Sequence, residues 1–573
     1  MPNTGANAYP GRYRWLGLLG SLALAAGGLT SGALPAAATG PALRASGGAG
    51  TVLVFAGLTV LTAAWLLLGT TGPRTADRPR PTTRWLAATL AWWAAPLLLL
   101  PPLFSRDVYS YLAQGAMQAS GFDVYADGPA ALGGPVAQQV PPVWQHTPAP
   151  YGPAFLLLAR AAAPLADHPY AGTLLLRLTS VAAVAALAAL LPALARRSGT
   201  DPAAALHLGA LNPLVLLHLV AGAHNDAVPL ALMITGLLAA TRRHPLAAAA
   251  LITLAALVKA PAALALPAAW WIAAHPPPDP VAAAPGRTGE LGFGRRRSAV
   301  RNPATGVPGP LPGAVTTATG GRRRLGLRAD IARKLGVARL GTRWRPLQLA
   351  AATVATATDG RPRLGLRPYA ARELRATRLG VRWRPPLLAA ATAVAAAATT
   401  LVVTAVAGTG YGWVAALTTP ASASSWSPTS GLGRLLADLA DVAPEGPVAV
   451  VRLLGLAAAA GAVCLLAARV ARGEGEPAAA LALALAALVA LGPAFRPWYA
   501  LWCVVPAAFA VRTAAPRRGV ELACSALAFT VMPDGFAPDS AESVLAAGGL
   551  AAGATAVLLA ERHVTFQERQ PAC

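Results

Sequence analysis

The chain has 573 residues, of which 55% are hydrophobic and only 12% are charged, whereas a typical soluble domain has about 25% charged residues. A soluble fold of this length could not bury so much apolar surface, so the composition predicts an all-α polytopic integral membrane protein. Residues 275–385 hold 22 Arg and Lys against 5 Asp and Glu, which is +17 of the net charge of +24. Because most of the charge lies in one loop, the sequence excludes a basic nucleic-acid-binding surface.

Apolar runs recur along the whole chain, and a membrane span needs about 20 such residues. The runs begin near Tyr13, Thr51, Trp85, Ala171, Ala203, Pro386, Pro447, Pro477, Trp498, Gly519 and Ser543. Arginine accumulates on the cytoplasmic side, so the arginine pairs between runs give the direction of each crossing. This rule requires residues 244–274 to leave and return as two short helices, with a break at Pro261 in "LVKAPA". We predict 12 to 14 crossings with both termini in the cytoplasm.

The predicted organisation follows from these crossings. It has N-terminal spans (1–104), an outer loop (105–170), central spans (171–274), an Arg-rich cytoplasmic insertion (275–385), C-terminal spans (386–560) with an outer loop at 408–446, and a cytoplasmic tail (561–573). A second interpretation of the first apolar run is a cleaved signal peptide, with "LPAAATG" as the cleavage site. The four cysteines lack metal-ligand spacing, so no disulfide framework or zinc site is expected.

The Arg-rich insertion contains an internal repeat. "RLGLR" begins at Arg324 and again at Arg363, and "RWRP" begins at Arg343 and again at Arg382, in both cases 39 residues apart. Two copies indicate a tandem duplication, because a solenoid needs at least three units. Two interpretations stay open, namely a tolerated cytoplasmic insertion and adhesion of its basic stretches to anionic lipid headgroups.

Three short polar stretches fall on the predicted outer face. "SRDVYSYLAQG" predicts an amphipathic surface helix that starts at the membrane edge, with Ser105 as a possible N-cap. "VAGAHNDAV" predicts a tight turn between two apolar helices, and "FRPWYALW" brings an arginine to a cluster of aromatic residues. Each stretch also has a purely structural interpretation: an interfacial anchor, an ordinary turn and an aromatic belt, respectively.

Lys259 is one of only two lysines in the chain and lies in an apolar segment. An ionisable side chain at spanning depth is costly, which makes it a functional candidate by default. The alternative is a structural anchor whose ammonium group reaches the interface.

A sugar joined to a polyprenyl phosphate would place its reacting bond at this outer rim, where the charged residues collect. Transfer of this sugar to the hydroxyl group of an acceptor needs a carboxylate to deprotonate that hydroxyl and cations to stabilise the leaving phosphate. Asp107 is a candidate base. The candidate substrate and phosphate contacts are Arg106, His224, Asn225, Asp226, Lys259 and Arg496. The candidate sugar and acceptor contacts are Tyr109, Asp123, Tyr125, Tyr151, Trp498 and Tyr499.

The ordered motifs "FSRDVYSYLAQG", "GFDVYADGP", "PAPYGPAFLLL", "LNPLVLLHLVAGAHNDA" and "PWYALW" cover most of residues 85–275 and 386–535. With them the chain resembles the GT-C membrane glycosyltransferases, and among these the MptB-type α-1,6-mannosyltransferases of mycobacteria and corynebacteria, which use polyprenyl-phosphate mannose. It departs from the family pattern at Asp123, Val124 and Tyr125, where "DPY" is expected, and in its 39-residue duplication.

The resemblance implies an inverting transfer of mannose from polyprenyl-phosphate mannose to a lipid-anchored α-1,6-mannan, in lipomannan and lipoarabinomannan assembly. It also implies that Asp107 acts as base. The arginine pattern of the loops predicts a multi-pass plasma-membrane protein with its active site on the extracytoplasmic face. The sequence leaves three matters open. The protein could be an α-1,2-mannosyltransferase or an arabinosyltransferase of the same architecture. It could instead be a lipid-linked sugar transporter or flippase. A divalent cation could assist the reaction.

Overall fold

The computed structural model describes residues 8–34, 47–69, 81–275, 385–418, 425 and 427–569. These residues form helices, turns and loops, and no β-strand occurs among them. Together with the five long apolar helices described below, this confirms the predicted all-α membrane fold. The duplicated Arg-rich insertion and most of the "LPAAATG" segment lie outside the described residues, so the predictions for them stay predictions.

Eight α-helices lead to the centre of the chain. They are α1 (Ala8–Ser31), α2 (Gly47–Gly69), α3 (Thr83–Ala94), α4 (Asp107–Ala119), α5 (Gly134–Ala137), α6 (Pro142–Gln145), α7 (Pro153–Ala161) and α8 (Pro169–Arg197). The central group consists of α9 (Pro202–Gly209), a π-helix (Val215–Ala221), α10 (Ala227–Thr241), α11 (Pro245–Val258), a 3-10 turn (Ala260–Leu264) and α12 (Ala265–Ala274).

The C-terminal part of the described chain adds eight α-helices. They are α13 (Pro385–Ala407), α14 (Gly412–Ala415), α15 (Pro428–Ala440), α16 (Glu445–Ala471), α17 (Pro477–Leu491), α18 (Ala500–Ala510), α19 (Ala514–Ala528) and α20 (Ser540–Arg569). A 3-10 turn, Pro497–Tyr499, directly precedes α18.

Five of the described helices are long and apolar enough to cross a bilayer. They are Gly47–Gly69, Pro169–Ser198, Pro385–Ala407, Glu445–Ala471 and Ser540–Arg562. Shorter apolar helices fill the space among them, and the helices begin within a few residues of the predicted span starts. The total number of crossings and the direction of each stay predictions.

Small residues let the first two helices approach closely. A Cβ atom at Gly20 would lie 2.7 Å from the backbone nitrogen of Leu61, and one at Gly57 would lie 2.6 Å from the carbonyl oxygen of Gly20. Glycines at such contacts are the usual means by which membrane helices pack backbone to backbone. This packing fixes α1 against α2 along the bundle.

The break predicted in "LVKAPA" is confirmed. Helix α11 ends at Val258, and Lys259 takes an extended backbone conformation with φ −150° and ψ 116° before the 3-10 turn begins. The predicted turn at "VAGAHNDAV" is also present, because the π-helix ends at Ala221 and α10 starts at Ala227. π-Helices are rare and often occur at functional sites.

The prediction of a surface helix at "SRDVYSYLAQG" is wrong in two respects. Helix α4 does start at Asp107, but its N-cap is Arg106 and not Ser105, whose hydroxyl accepts a hydrogen bond of 3.1 Å from the Asp107 backbone nitrogen. However, the residues from Val108 to Met117 are all buried, because α7, α8 and the short helices of the same loop pack around them. This moderately apolar segment therefore forms an internal helix, and only the two ends of the helix are exposed.

Arg177 on α8 joins the two segments that lead to the candidate site. Its guanidinium group is buried and donates hydrogen bonds to the carbonyl oxygens of Leu98, Leu100 and Ala221. The first two belong to the chain that enters α4, and the third ends the π-helix. The Arg177 side chain thus fixes both the backbone that leads to Asp107 and the backbone that leads to the turn at His224.

Two residues on these segments adopt the left-handed conformation that non-glycine residues rarely take. Phe104 has φ +62° and Ala223 has φ +54°. Each such residue costs on the order of 1–3 kcal/mol, and surrounding contacts must hold it. The Phe104 nitrogen is held by the carbonyl oxygen of Pro533 at 2.8 Å. Strain of this kind concentrates at functional sites.

Candidate active site

An open cavity lies beside the first turn of α4. Its empty volume is about 820 Å³ when its open mouth is included. The wall combines one carboxylate, two guanidinium groups and aromatic rings, contributed by Asp107, Arg106, Arg496, Trp144, Trp498 and Phe536. Concave sites of this size, with a few convergent polar groups, are where small ligands bind. We call this space the Asp107 cavity.

Asp107 is the carboxylate of this cavity, and its side chain keeps 23% of its surface exposed. Burial raises the pKa of Asp107 above its usual value, while the positive charges of Arg496 and Lys259 oppose that rise. Carboxyl groups with perturbed pKa values in clefts are frequent acids and bases in active sites. The geometry therefore supplies a carboxylate that a ligand in the cavity can reach.

His224 stands behind Asp107 and is fully buried. Its Nδ1 lies 3.2 Å from the Tyr111 hydroxyl and 3.8 Å from Asp107 Oδ2. The imidazole ring is tilted over the Trp498 ring at a centroid distance of 3.9 Å, and the Ser180 hydroxyl donates to the His224 carbonyl oxygen at 3.1 Å. These contacts hold the ring in one place, and it does not line the Asp107 cavity.

Lys259 and Asp226 form an ion pair in which Asp226 is fully buried and Lys259 is mostly buried. Lys259 Nζ donates to both carboxylate oxygens of Asp226, at 2.8 and 2.7 Å, and Trp502 Nε1 donates to Asp226 Oδ1 at 2.7 Å. The ammonium group also lies 4.9 Å from the centre of the Tyr499 ring and 5.8 Å from that of Tyr151. Cation–π attraction adds to the pair, so the charge of Lys259 is engaged within the protein.

Gly152 explains how Tyr151 reaches Lys259. A Cβ atom at Gly152 would lie 2.1 Å from the carbonyl oxygen of Leu257, so only glycine permits this approach of the two backbones. The preceding residue, Tyr151, packs its ring edge to face against Tyr111 and Phe155. The outer-loop motif "PAPYGP" is therefore fitted against the helix break.

Arg106 and Arg496 are the predicted phosphate contacts that line the cavity. One nitrogen of Arg106 donates to the carbonyl oxygen of Leu34 at 3.3 Å, and its guanidinium carbon lies 5.1 Å from the centre of the Phe536 ring. Three other members of the same predicted set are buried outside the cavity wall, namely His224, Asn225 and Asp226. Neither amide atom of Asn225 has a hydrogen-bond partner among the described residues.

The predicted sugar contacts divide in the same way. Trp498 lines the Asp107 cavity, whereas Tyr499 and Tyr151 surround Lys259. Tyr109 is buried on another face of α4, where its hydroxyl donates to the carbonyl oxygen of Ala33 at 2.9 Å. The structure does not bring Tyr109 to the site.

Asp123 and Tyr125 lie in a turn of the same loop, away from the cavity wall. The Asp123 carboxylate accepts a hydrogen bond from the Tyr125 nitrogen at 3.0 Å, and the Tyr125 hydroxyl donates to the carbonyl oxygen of Tyr151 at 3.0 Å. Asp123 thus closes a turn, and Tyr125 braces the segment that carries Tyr151.

Sequence reasoning missed several residues that build the site. Tyr111 follows Asp107 by four residues and so shares its helix face, a spacing that could have identified it. Arg177 is an arginine within an apolar span, which is itself a signal. His218 lies in the π-helix, with a centroid distance of 5.2 Å to the Trp498 ring and no hydrogen-bond partner for either ring nitrogen among the described residues. No feature of the sequence pointed to Ser180.

The divalent cation that the sequence left open finds no obvious site in the described part of the chain. No three histidine, cysteine, aspartate or glutamate side chains meet there in a way that could hold a metal ion. Asp107 and His224 approach one another, but only as a pair.

Two family models match the chain on either side of the Arg-rich insertion. The model described as "Alpha-(1->6)-mannopyranosyltransferase, N-terminal domain" matches residues 14–275, and the model described as "MptB C-terminal domain" matches residues 427–560. Asp107, His224 and Lys259 fall in the first range, whereas Arg496 falls in the second. The two matched segments therefore meet at the candidate site.

Curated relatives carry the same description. An α-(1→6)-mannopyranosyltransferase A of Mycobacterium tuberculosis is 42% identical over 39% of this chain and 42% of its own length. An α-(1→6)-mannopyranosyltransferase B of Corynebacterium glutamicum is 37% identical over 39% of this chain and 41% of its own length. A further α-(1→6)-mannopyranosyltransferase of M. tuberculosis is 33% identical over 73% of this chain and 64% of its own length.

The chain thus spans about two fifths of the length of the first two relatives and somewhat less than two thirds of the third. No solved structure matches it. Both family models and all three relatives nevertheless agree, and the motifs that suggested the resemblance lie within the matched ranges. The chain belongs to the α-(1→6)-mannopyranosyltransferase family.

Proposed function

We propose that the protein is a membrane glycosyltransferase that moves mannose from polyprenyl-phosphate mannose to a hydroxyl group of a lipid-anchored α-1,6-mannan, as part of lipomannan assembly. One observation carries the proposal: a single reachable carboxylate, Asp107, lines a cavity together with Arg106 and Arg496. A base beside two cations is what displacement of a sugar from a phosphate requires. The family membership supplies the sugar and the linkage.

The proposed reaction is one inverting displacement at the anomeric carbon. The Asp107 carboxylate takes the proton of the acceptor 6-hydroxyl while the oxygen of that hydroxyl forms a bond to the anomeric carbon. The bond from the anomeric carbon to the phosphate oxygen breaks on the opposite side, and the electron pair leaves with the polyprenyl phosphate. Because charge grows on the phosphate as this bond breaks, Arg106 and Arg496 stabilise the transition state more than the ground state.

His224 acts through Asp107 in this proposal rather than by touching phosphate. Its buried ring is held by Tyr111 and Trp498, and its Nδ1 stands 3.8 Å from the carboxylate. A fixed neighbour of this kind limits the rotation of the carboxylate and keeps one oxygen directed into the cavity. Reactive groups need such support to stay within a fraction of an ångström of the productive geometry.

The ion pair of Lys259 and Asp226 has a positioning role in the proposal. Its two charges cancel within the protein, so the ammonium group is not a free cation for the donor phosphate. Asp226 instead connects the turn that carries His224 to Trp502, which lies one helical turn after Trp498. The pair thereby keeps the wall of the Asp107 cavity and the helix break in register.

The membrane orientation of the proposal rests on the arginine pattern of the loops. The Asp107 cavity would then open on the extracytoplasmic side of the plasma membrane, with the polyprenyl tail in the lipid and the phosphate at its edge. The partners would be the lipid-linked donor, the lipid-anchored mannan acceptor and the surrounding lipids. A polyprenyl-phosphate arabinose donor, offered in place of the mannose donor in the transfer assay below, separates this proposal from arabinosyl transfer. The proposal predicts transfer of mannose and not of arabinose.

The first test replaces the base. We expect Asp107→Asn to insert and fold normally but to lose mannose transfer by about 10²–10⁴-fold in turnover, because an amide cannot accept the proton. The measurement is transfer of radiolabelled mannose from synthetic polyprenyl-phosphate mannose to an α-1,6-mannan oligosaccharide by purified protein. Asp167→Asn, an exposed carboxylate in the same loop, is the matched control. Near-normal turnover of Asp107→Asn would remove Asp107 from the role of base.

The second test uses pH. Asp107 must be ionised to act, and burial raises its pKa, so kcat/KM should fall on the acid side at a higher pH than an ordinary aspartate would give. The charge of Arg496 opposes this rise, so Arg496→Gln should move the acid limb to still higher pH, whereas Arg496→Lys should leave it near its original position. An acid limb that stays fixed or moves to lower pH in Arg496→Gln would contradict the assignment.

The third test separates positioning by Lys259 from phosphate binding. Lys259→Met leaves Asp226 buried without its counter-charge, which should cost about 3–5 kcal/mol of stability. The double variant Lys259→Met, Asp226→Asn should recover the melting temperature in detergent and most of the donor affinity, since the amide oxygen can still accept from Trp502. A double variant that is stable but has a strongly raised KM for the donor would show that Lys259 contacts phosphate directly.

A further inference from the structure

Helix α15 has three distinct faces. Its leucines at positions 432, 435, 436 and 439 follow the i, i+3, i+4, i+7 spacing of one helix face. All four are exposed, by 49%, 53%, 44% and 75%, respectively. We call this face the leucine stripe. It is the clearest amphipathic pattern in the described chain that neither the fold nor the candidate site uses.

The second face packs α15 onto α16. Gly433 lies so close to this helix that a Cβ atom would be 2.5 Å from the Cα atom of Val448. Ala437, one turn further on, is fully buried. At the start of α15, Arg452 Nε donates to the Ser430 hydroxyl at 2.9 Å. This face fixes how α15 is rotated about its own axis, and with it the direction of the leucine stripe.

The third face is polar. Arg434 and Asp438 lie on it, and Asp441 ends the helix in a left-handed conformation. Asp438 and Asp441 are exposed. A helix with one face fixed to the protein, one apolar face and one charged face is suited to a boundary between hydrocarbon and water.

We infer that α15 is an interfacial helix whose leucine stripe is covered by the hydrocarbon of the membrane leaflet at the end of the bundle where α16 begins. Helix α15 packs beside the first residues of Glu445–Ala471, a helix that is long and apolar enough to cross a bilayer, so α15 is held at the level where that helix starts. The stretch of α16 beside it exposes Val450, Leu453 and Leu454 by 57%, 69% and 64%. The stripe continues this apolar surface, which is why lipid is the occupant.

The position of α15 has a consequence for the Asp107 cavity. The Thr429 hydroxyl donates to the carbonyl oxygen of Gly492 at 2.9 Å, and the Ser430 hydroxyl donates to that of Pro493 at 3.4 Å. These carbonyl groups precede Arg496 by a few residues in the same loop. A helix seated on lipid therefore anchors the loop that brings Arg496 and Trp498 to the cavity. The membrane seat of α15 does not depend on which sugar the protein transfers.

The test measures what surrounds the two exposed faces of α15. Spin labels are attached to Leu435→Cys and Leu439→Cys on the stripe and to Asp438→Cys on the polar face. The background is the full chain with Cys464, Cys503 and Cys573 replaced by serine, which keeps the buried Cys524. The protein is reconstituted in phosphatidylcholine vesicles, and collisions with oxygen, which concentrates in lipid, are compared with collisions with a water-soluble nickel complex. Each variant must keep the melting temperature of its parent.

The labels at 435 and 439 should collide mainly with oxygen, at a depth of about 5–10 Å below the phosphates. The label at 438 should collide mainly with the nickel complex. Equal access of the nickel complex to all three labels would overturn the inference. Protection of 435 and 439 from both reagents would overturn it too, since protein would then cover the stripe, and dipolar broadening between labels would identify a second copy of the chain.

Discussion

The buried ion pair of Lys259 and Asp226 is the contact on which the site depends. It joins the helix break after α11 to the turn before α10, and Trp502 extends it to α18, across 276 residues of sequence. Removal of one partner from a buried pair costs about 3–5 kcal/mol, because the other charge is left without compensation. The pair therefore imposes one arrangement on three separate elements.

The geometry of the Asp107 cavity follows from that arrangement. Trp502 and Trp498 are one helical turn apart, so the hydrogen bond that fixes the first also directs the second towards His224. His224 in turn faces Tyr111 and Asp107 on α4. Arg177 holds the backbone on both sides of this contact. Charge, aromatic packing and backbone hydrogen bonds thus converge on the orientation of one carboxylate, which accounts for its suitability as the proposed base.

The sequence predicted the local features of this site and not its pairings. The break near Lys259, the turn at His224 and the helix start at Asp107 depend on proline, on turn-forming residues and on charge after an apolar run, all of which are visible within a few residues. The pairing of Asp226 with Lys259 depends on how two breaks 33 residues apart meet in space. Two opposite charges in neighbouring apolar segments were nevertheless a usable signal, because such charges usually pair.

Helix phase explains the other differences. Tyr109 and Tyr111 are equally plausible sugar contacts by composition, but two residues on a helix point about 200° apart, so one meets Ala33 and the other meets His224. The burial of α4 could not be predicted either, because its cover comes from α7, α8 and short helices whose positions no local pattern specifies. The leucine stripe of α15 shows the opposite case, in which the spacing alone identifies an apolar face.

The most direct test of the account is a structure of the protein with a non-transferable phosphonate analogue of polyprenyl-phosphate mannose. We expect the phosphonate to lie between Arg106 and Arg496. The Asp107 carboxylate should lie on the side of the sugar opposite the phosphonate, with room for one acceptor hydroxyl between it and the anomeric carbon. A phosphonate bound to Lys259, or an anomeric carbon that faces Asp123 or Asp226 instead, would contradict it.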